Sequence, residues 1–527
     1  SSLSPRTSGK TMEAFLHFLV VLIAIYYSIS LMMFFINGKR NNSCSAPEAA
    51  GGWPIFGHLP LLARREKLLH HMLGEMADKH GAVFSIRLGS KQAIVVSSSE
   101  IAKECFTVND KAISSRPNIM AGRHISYNNV NFIFAPYSPF WRKMRRIVKQ
   151  ELLAGHGLKM IQQVFDLELS RWIKGIFDML NKDASGAVLV NLQERLYNLS
   201  VAVFAKVLVG KDINTLPPDD AKEWCNAVAN FFHMTGLFVI SDVYPSLRLL
   251  DWKVEKEMKK VGRNFDILLE RYLEEHKRKR IESKVSGGDF MDLMLSLKED
   301  GDLGGLSVDE DVNIKATCQA VMAGGTESTP SATVWALSLL LNNQSALEKA
   351  KQEIDNHVGH QRQVGKSDLR ELVYLQAVVK ESMRLHPIGP VTVLRESIHD
   401  CAIGGYHVPA GTRILINLWK IQREAETWPN PSAFMPERFR TTHAHVDIKG
   451  VRNTQLLPFG AGRRACPGLE FGLHSVHLAL ARILHAFDFR APEGHPVDLT
   501  ETPGMATHKQ IPLEVLMSPR PSAKIYC

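Results

Sequence analysis

Residues 458–468 read PFGAGRRACPG: three glycines, two arginines, two prolines and one cysteine. A basic, glycine-rich turn is suited to hold something negative, and its cysteine could act as nucleophile or metal ligand. GAGRRA (460–465) matches the G-x-G-x-x-[GA] pattern of dinucleotide-binding turns. That pattern must follow a strand, open a helix and meet an acidic residue about 20 positions on. Here Pro458 interrupts the approach, Cys466 and Pro467 stand where the helix should start, and the acidic residue is missing. A zinc site needs four ligands, and the loop holds no second cysteine or histidine. A cysteine protease needs a histidine partner; the 21 histidines leave that open, but no nucleophile motif surrounds Cys466.

A haem iron fits better. One cysteine thiolate suffices to hold it and pushes electron density onto the iron, which favours O–O cleavage. Glycines let the backbone approach the sulfur, and N–H groups and nearby positive charge keep it ionised. Arg464 suits a bidentate bond to a haem propionate. A helix starting near Gly468 would aim its positive end at Cys466. The spacing Phe459-x-x-Gly462-x-Arg464-x-Cys466-x-Gly468 resembles the signature of the cytochrome P-450 superfamily, the haem-thiolate monooxygenases.

The resemblance extends over almost the whole chain and implies roles for other residues. Glu381 and Arg384 form an E-x-x-R pair, expected to be buried and joined by Arg438 of PERF. Trp141 and Arg145, in WRKMR, resemble a W-x-x-x-R motif at the haem propionates, and Arg395 resembles a further propionate-binding arginine. AGGTEST (323–329) resembles the oxygen-activation segment. There an acid and an alcohol relay protons, so Glu327, Ser328 and Thr329 are the candidate catalytic residues. Ser328 stands where threonine is usual, and Thr329 should point about 100° away from it. Gly325 costs about 1 kcal/mol against alanine; the expected benefit is open space for dioxygen. Pro330 cannot donate to the Thr326 carbonyl and should kink the helix. By resemblance the substrate pocket draws on residues 119–134, 231–240, 318–324, 388–393 and 504–507, mostly apolar, which implies a small hydrophobic substrate.

These residues need a frame, and the frame is readable too. Hydrophobic residues make up 45% of 527 and charged residues 22%, enough for one large core. The seven scattered cysteines form no C-x-x-C pair and argue against a disulfide framework. The net charge of +9 is diffuse, which argues against nucleic acid. Helical periodicity marks 160–180, 253–279, 332–355 and 372–386; short strands are expected in 83–98, as a hairpin around Gly89-Ser90, and in 401–417. Ala14 to Ile36 is 23 residues without a charge, long enough to span a bilayer. The chain therefore reads as a leader (1–11, non-native, since Met12 suits a start), a transmembrane anchor (12–38), a Pro/Gly linker (39–60) and a haem-thiolate catalytic domain (61–527). The expected fold class is mainly α with a minor β region, a cytochrome P-450 fold behind an N-terminal transmembrane helix. Lys39 and Arg40 place the catalytic domain on the cytosolic side of the endoplasmic reticulum, so the sequons at Asn41, Asn198 and Asn343 should stay bare.

The linker, WKIQRE (419–424) and PVDLTETPGMATHKQIPLEV together resemble the plant cytochrome P-450 family numbered 82. That resemblance implies haem b, O2 and NADPH, an acidic membrane-bound NADPH–haemoprotein reductase as partner, cytochrome b5 as a second donor, and hydroxylation of a flavonoid, alkaloid or terpenoid. A haem-thiolate rearranging enzyme and a non-catalytic haem sensor stay open; the acid–alcohol pair speaks against both.

Overall fold

The computed structural model describes residues 17–28, 45–63, 67–182, 186–283, 288–305, 308–520 and 525–526. Helices dominate: α1 (Pro139–Ile147), α2 (Gly155–Lys182), α3 (Leu192–Val209), α4 (Pro218–Thr235), α5 (Trp252–Ser283), α6 (Glu310–Thr326), α7 (Ser328–Leu341), α8 (Gln344–Val358), α9 (Val373–Leu385) and α10 (Leu469–Ala486). They enclose the largest hydrophobic core. In α7 every residue from Thr329 to Leu341 is buried, as expected of a helix apolar all round. The apolar run 332–355 is not one helix. The break between α7 and α8 falls at two asparagines: Asn343 Nδ2 bonds back to the Leu339 carbonyl at 2.7 Å, and Asn342 Nδ2 donates to the distant Val497 carbonyl at 2.8 Å.

Strands are few and short. β1 (Val83–Leu88) and β2 (Lys91–Val96) form the expected hairpin, Leu88 opposite Lys91, with Gly89 at φ +61° in the turn. The other strands are β3 (Val188–Asn191), β4 (Arg395–Glu396), β5 (Cys401–Ile403), β6 (Tyr406–Val408), β7 (Arg413–Ile416), β8 (Phe487–Arg490) and β9 (Glu514–Pro519). One sheet runs β1-β2-β7-β4, a second β3-β9-β8, and β5 pairs with β6. The first sheet is buried on both faces: Val83, Ile94 and Val96 enter one core, Phe84, Ile86 and Val95 another. That sheet holds Arg395, on β4, in place.

Residues 46–58, expected to be a linker, pack onto this sheet. The Ala49 N–H donates to the Ser85 carbonyl at 2.9 Å. His58, fully buried, accepts the Arg87 N–H at Nδ1 (3.0 Å), so its Nε2–H donates to the Ala49 carbonyl (2.8 Å). Of the apolar segment expected to be an anchor, residues 17–28 are helical with every side chain exposed. The rest lies outside the described residues, among which no helix is long and apolar enough to cross a membrane.

Candidate active site

The cysteine loop is folded by its glycines. Gly460 and Gly462 take φ of +62° and +71°, a region open to glycine. A Cβ at Gly462 would also lie 2.2 Å from Asp110 Oδ1, which accepts the Arg463 N–H at 2.9 Å. The Cys466 N–H closes the loop on the Phe459 carbonyl at 2.9 Å, and Gly468 caps α10. The Cys466 side chain is exposed, yet burial is the largest influence on its thiol and raises its pKa, opposed by the Gly468 N–H and by Arg145. The two observations agree if the exposed surface meets an internal space rather than bulk solvent.

Four arginines gather around this loop. Arg145 stacks over Trp141, 5.4 Å from its ring, as the i,i+4 spacing requires, and donates to the Ala465 carbonyl. Arg464 donates to the carbonyls of Ser114 (2.7 Å), Phe132 (3.3 Å) and Ala135 (2.6 Å) and lies 4.1 Å from the Trp141 ring. Three of its five N–H groups thus tie the loop to the segment before α1. The Trp141 indole N–H is likewise taken by the Phe132 carbonyl at 3.0 Å. Arg395, 3% exposed, reaches only the Ala461 carbonyl at 3.4 Å, and its Nε and Nη1 have no partner. The fourth, Arg116, carries no motif and escaped the sequence reading; it donates to the carbonyls of Ile133 (3.2 Å) and Leu394 (2.9 Å). Burial first, then the neighbouring guanidinium groups, pushes Arg464 down to about 9 and Arg116 well down. Burial also lowers Arg395 to about 10, against the pull of Asp110. Asp110 itself pairs with Arg463, at 3.4 Å. A buried positive wall with orphaned N–H groups is stable only beside an anion. A thiolate-bound haem, which carries two propionates, fits it.

A second cluster braces the loop from behind. Glu381 and Arg384, one turn apart on α9, are both fully buried. They make a two-point pair at 2.7 and 2.9 Å. Arg438 Nε joins Glu381 Oε1 at 3.1 Å, as the motif implies. Arg384 Nη1 reaches the carbonyls of Gln422 (3.0 Å) and Pro431 (2.7 Å), and the Trp428 ring lies 5.2 Å from its guanidinium. Gln422 then accepts the Leu457 N–H at 3.0 Å, just before the cysteine loop. All charges here are met by hydrogen bonds, which is what makes a buried network tolerable.

Opposite in character is the junction of α6 and α7. α6 ends at Thr326, Glu327 sits between the helices at φ −99°, and α7 opens at Ser328. The break precedes Pro330, whose missing N–H leaves the Thr326 carbonyl without its helical donor. Gly324 and Ser328 are exposed while Thr326 and Thr329 are buried. The exposed pair is four residues apart on one face, and Ser328 Oγ donates to the Gly324 carbonyl at 3.0 Å. Thr329 does not share that face. The sequence assigned the open space to Gly325, and the structure moves it by one residue. A Cβ on Gly325 would lie 1.9 Å from the buried Phe204 ring of α3, whereas nothing stands within 4 Å of one on Gly324. Adjacent helical residues point about 100° apart, so only one of the two can face open space. Glu327 turns toward a cleft of about 280 Å³ and bonds His508 Nε2 at 3.2 Å, a partner that no local pattern signals.

The segments expected around a substrate meet in pairs. Phe134 packs against Phe231 at 6.4 Å, buried Asn131 donates to buried Gln319 at 3.0 Å, and the Thr507 N–H donates to the Ile388 carbonyl at 2.8 Å.

Residues 47–517 match the family model described as cytochrome P450. The chain is similar to the xanthotoxin 5-hydroxylase CYP82C2 of Arabidopsis thaliana, 45% identical over 98% of this chain and 100% of that one. It is also 45% identical to the strychnine-10-hydroxylase of Strychnos nux-vomica, over 93% of this chain and 94% of the relative. Among solved structures, a zebra fish cytochrome P450 with progesterone superposes with a TM-score of 0.72 at 24% identity, covering 86% of this chain and 99% of that one.

Proposed function

The chain belongs to the cytochrome P450 family, and from that premise we propose that it is an NADPH- and O2-dependent hydroxylase of a hydrophobic plant specialised metabolite, of the flavonoid, alkaloid or terpenoid kind. The observation that carries the reading is the pairing of two features: one cysteine in a positively walled loop, and an acid–alcohol pair at a broken helix. The two relatives, named for hydroxylating xanthotoxin and strychnine, support the substrate class.

Cys466 would hold the iron, with Arg145, Arg395 and Arg116 toward the propionates and Arg464 tethering the loop. The haem, when bound, supplies the redox chemistry that activates dioxygen. The chain's own residues do the rest. Arg395 offers its unpartnered N–H groups to a carboxylate. Gly324 leaves room on the face where Ser328 sits. Ser328 Oγ holds a proton against the Gly324 carbonyl, where it can be passed on, and Glu327 is the adjacent acid that replaces it. The apolar contacts of Phe134 and Phe231 keep water from the substrate side.

Electrons would come from an acidic NADPH–haemoprotein reductase, with cytochrome b5 as a second donor; the net charge of +9 suits both. Anchoring in the endoplasmic reticulum membrane is supported by the exposed apolar helix at 17–28 and by exposed Trp53 and Phe56 nearby in sequence.

The test is reconstitution with a plant reductase. A red-shifted ferrous–CO Soret band identifies thiolate ligation, and NADPH consumption with a hydroxylated product identifies the monooxygenase. In that assay Ser328→Ala should divert most NADPH into hydrogen peroxide; unchanged product per NADPH would sink its assignment as the relay alcohol.

A further inference from the structure

Glu327 does not point to the side where Ser328 is exposed. It stands in a cleft bounded by Glu194 and Tyr197 of α3, by Ser331 and Trp335 of α7, and by the loop carrying His508 and Lys509. Glu327 is the deeper of the pair, 14% exposed against 30% for His508. Both nitrogens of the His508 ring are engaged: Nε2 with Glu327 Oε2 at 3.2 Å, Nδ1 with Ser331 Oγ at 2.7 Å. The loop that presents the ring is itself fixed. Thr507 Oγ1 donates to the Pro387 carbonyl at 2.8 Å, and the Trp335 indole donates to the Thr507 carbonyl at 3.2 Å. Nothing in the oxygen-activation motif calls for a histidine some 180 residues downstream to meet its acid.

We propose that His508 is the positioning residue and proton donor for Glu327, and that the cleft is the inlet by which solvent protons reach it. The proposal rests on the monooxygenase reading above. The titratable or charged groups facing His508 are Glu194, Tyr197, Glu327 and Lys509. Burial raises the Tyr197 phenol, keeping it neutral. Lys509 is committed to the Asp498 carbonyl. Of the lining side chains only an imidazole ordinarily gains and loses a proton near neutrality. The imidazolium passes its Nε2 proton to Glu327 Oε2, making a carboxylic acid and leaving a neutral ring with its remaining proton on Nδ1, facing Ser331 Oγ. When Glu327 has swung out of the cleft and given that proton to the Ser328 hydroxyl side, water in the cleft restores the Nε2 proton. One solvent proton enters for each one delivered.

Two measurements test this. In reconstituted turnover, His508→Asn keeps an amide at the position of Nδ1, facing Ser331, but loses the bond to Glu327 and cannot titrate. It should lower product per NADPH several-fold, raise hydrogen peroxide to match and flatten the pH profile, with the ferrous–CO spectrum intact. Ser331→Ala, which leaves the ring in place, should give a smaller loss of the same kind and serves if His508→Asn fails to fold. Independently of turnover, NMR of histidine labelled with carbon-13 at Cε1 in the diamagnetic ferrous–CO protein follows the protonation of His508. Its Cε1 signal should move in Glu327→Gln, because the ring loses the carboxylate it bonds at Nε2. Unchanged coupling and pH profile in His508→Asn, or an unmoved Cε1 signal in Glu327→Gln, overturns the proposal. Failure of the monooxygenase reading looks different: wild type then makes no product, while the NMR titration still reports on the pair.

Discussion

The cysteine loop and the α6–α7 junction each present exposed atoms inside an otherwise buried frame, and they are held on different terms. Around Cys466 the backbone is pinned by charge. Arg145 and Arg464 donate to carbonyls of or near the loop, and Arg384 and Arg438 lock Glu381 behind it. At Glu327 the backbone is released. A proline breaks the helix just after two glycines, and one carboxylate finds one histidine. A ligand loop must keep one geometry whatever is bound, so it is over-determined. A proton relay must let groups gain and lose hydrogen bonds, so it is left sparse. Rigidity and permissiveness lie in one core and are set by how many partners each polar group has.

The comparison can be broken most sharply at the sulfur. Cys466→Ala should abolish both the red-shifted ferrous–CO band and turnover, while the apo-fold, held by the arginine network, still shows a cooperative far-UV melt. Next comes the network. Arg384→Ala takes two donors from Glu381, leaves the Gln422 and Pro431 carbonyls without that partner and should cost about 3–5 kcal/mol. Denaturant titration and haem content measure the loss; a stable, haem-loaded variant would show that the pinning is dispensable. At the junction the two glycines should part company. Gly325→Ala drives a methyl into Phe204 and should destabilise by about 1–3 kcal/mol. Gly324→Ala should leave the melt unchanged but impair dioxygen-dependent turnover.

The smallest effect concerns pH. In α10, behind the cysteine loop, burial holds His474 and His477 at about 4, below the usual 6.5. Below pH 6.5 the unfolded chain binds protons that the native state refuses. Their contribution is therefore complete above 6.5 and is lost as pH falls toward 4. Melting temperatures across that window should drop, and His477→Leu should shallow the slope.

The spacing Phe459-x-x-Gly462-x-Arg464-x-Cys466, together with E-x-x-R, PERF and AGGTEST, was enough to name the family and to single out Cys466 as candidate iron ligand and Glu327 and Ser328 as candidate acid–alcohol pair. Those roles depend on residue type and local spacing, which a chain carries on its face. So do the β1–β2 hairpin and most helices, since periodicity is local. What the tertiary structure decided depends on neighbours distant in sequence. Gly325 or Gly324 could have faced open space until α3 brought Phe204 against one of them. Arg464 and Trp141 looked wholly free for propionates; the carbonyls of residues 114, 132 and 135 take the Trp141 indole N–H and three of the five N–H groups of Arg464. Arg116 and His508 bear no motif at all; they matter because folding desolvates the one among other arginines and sets the other against Glu327. The sequence alone determined which groups can do chemistry. Only the fold decided which of them are satisfied, because a hydrogen-bond partner hundreds of residues away leaves no mark on local pattern.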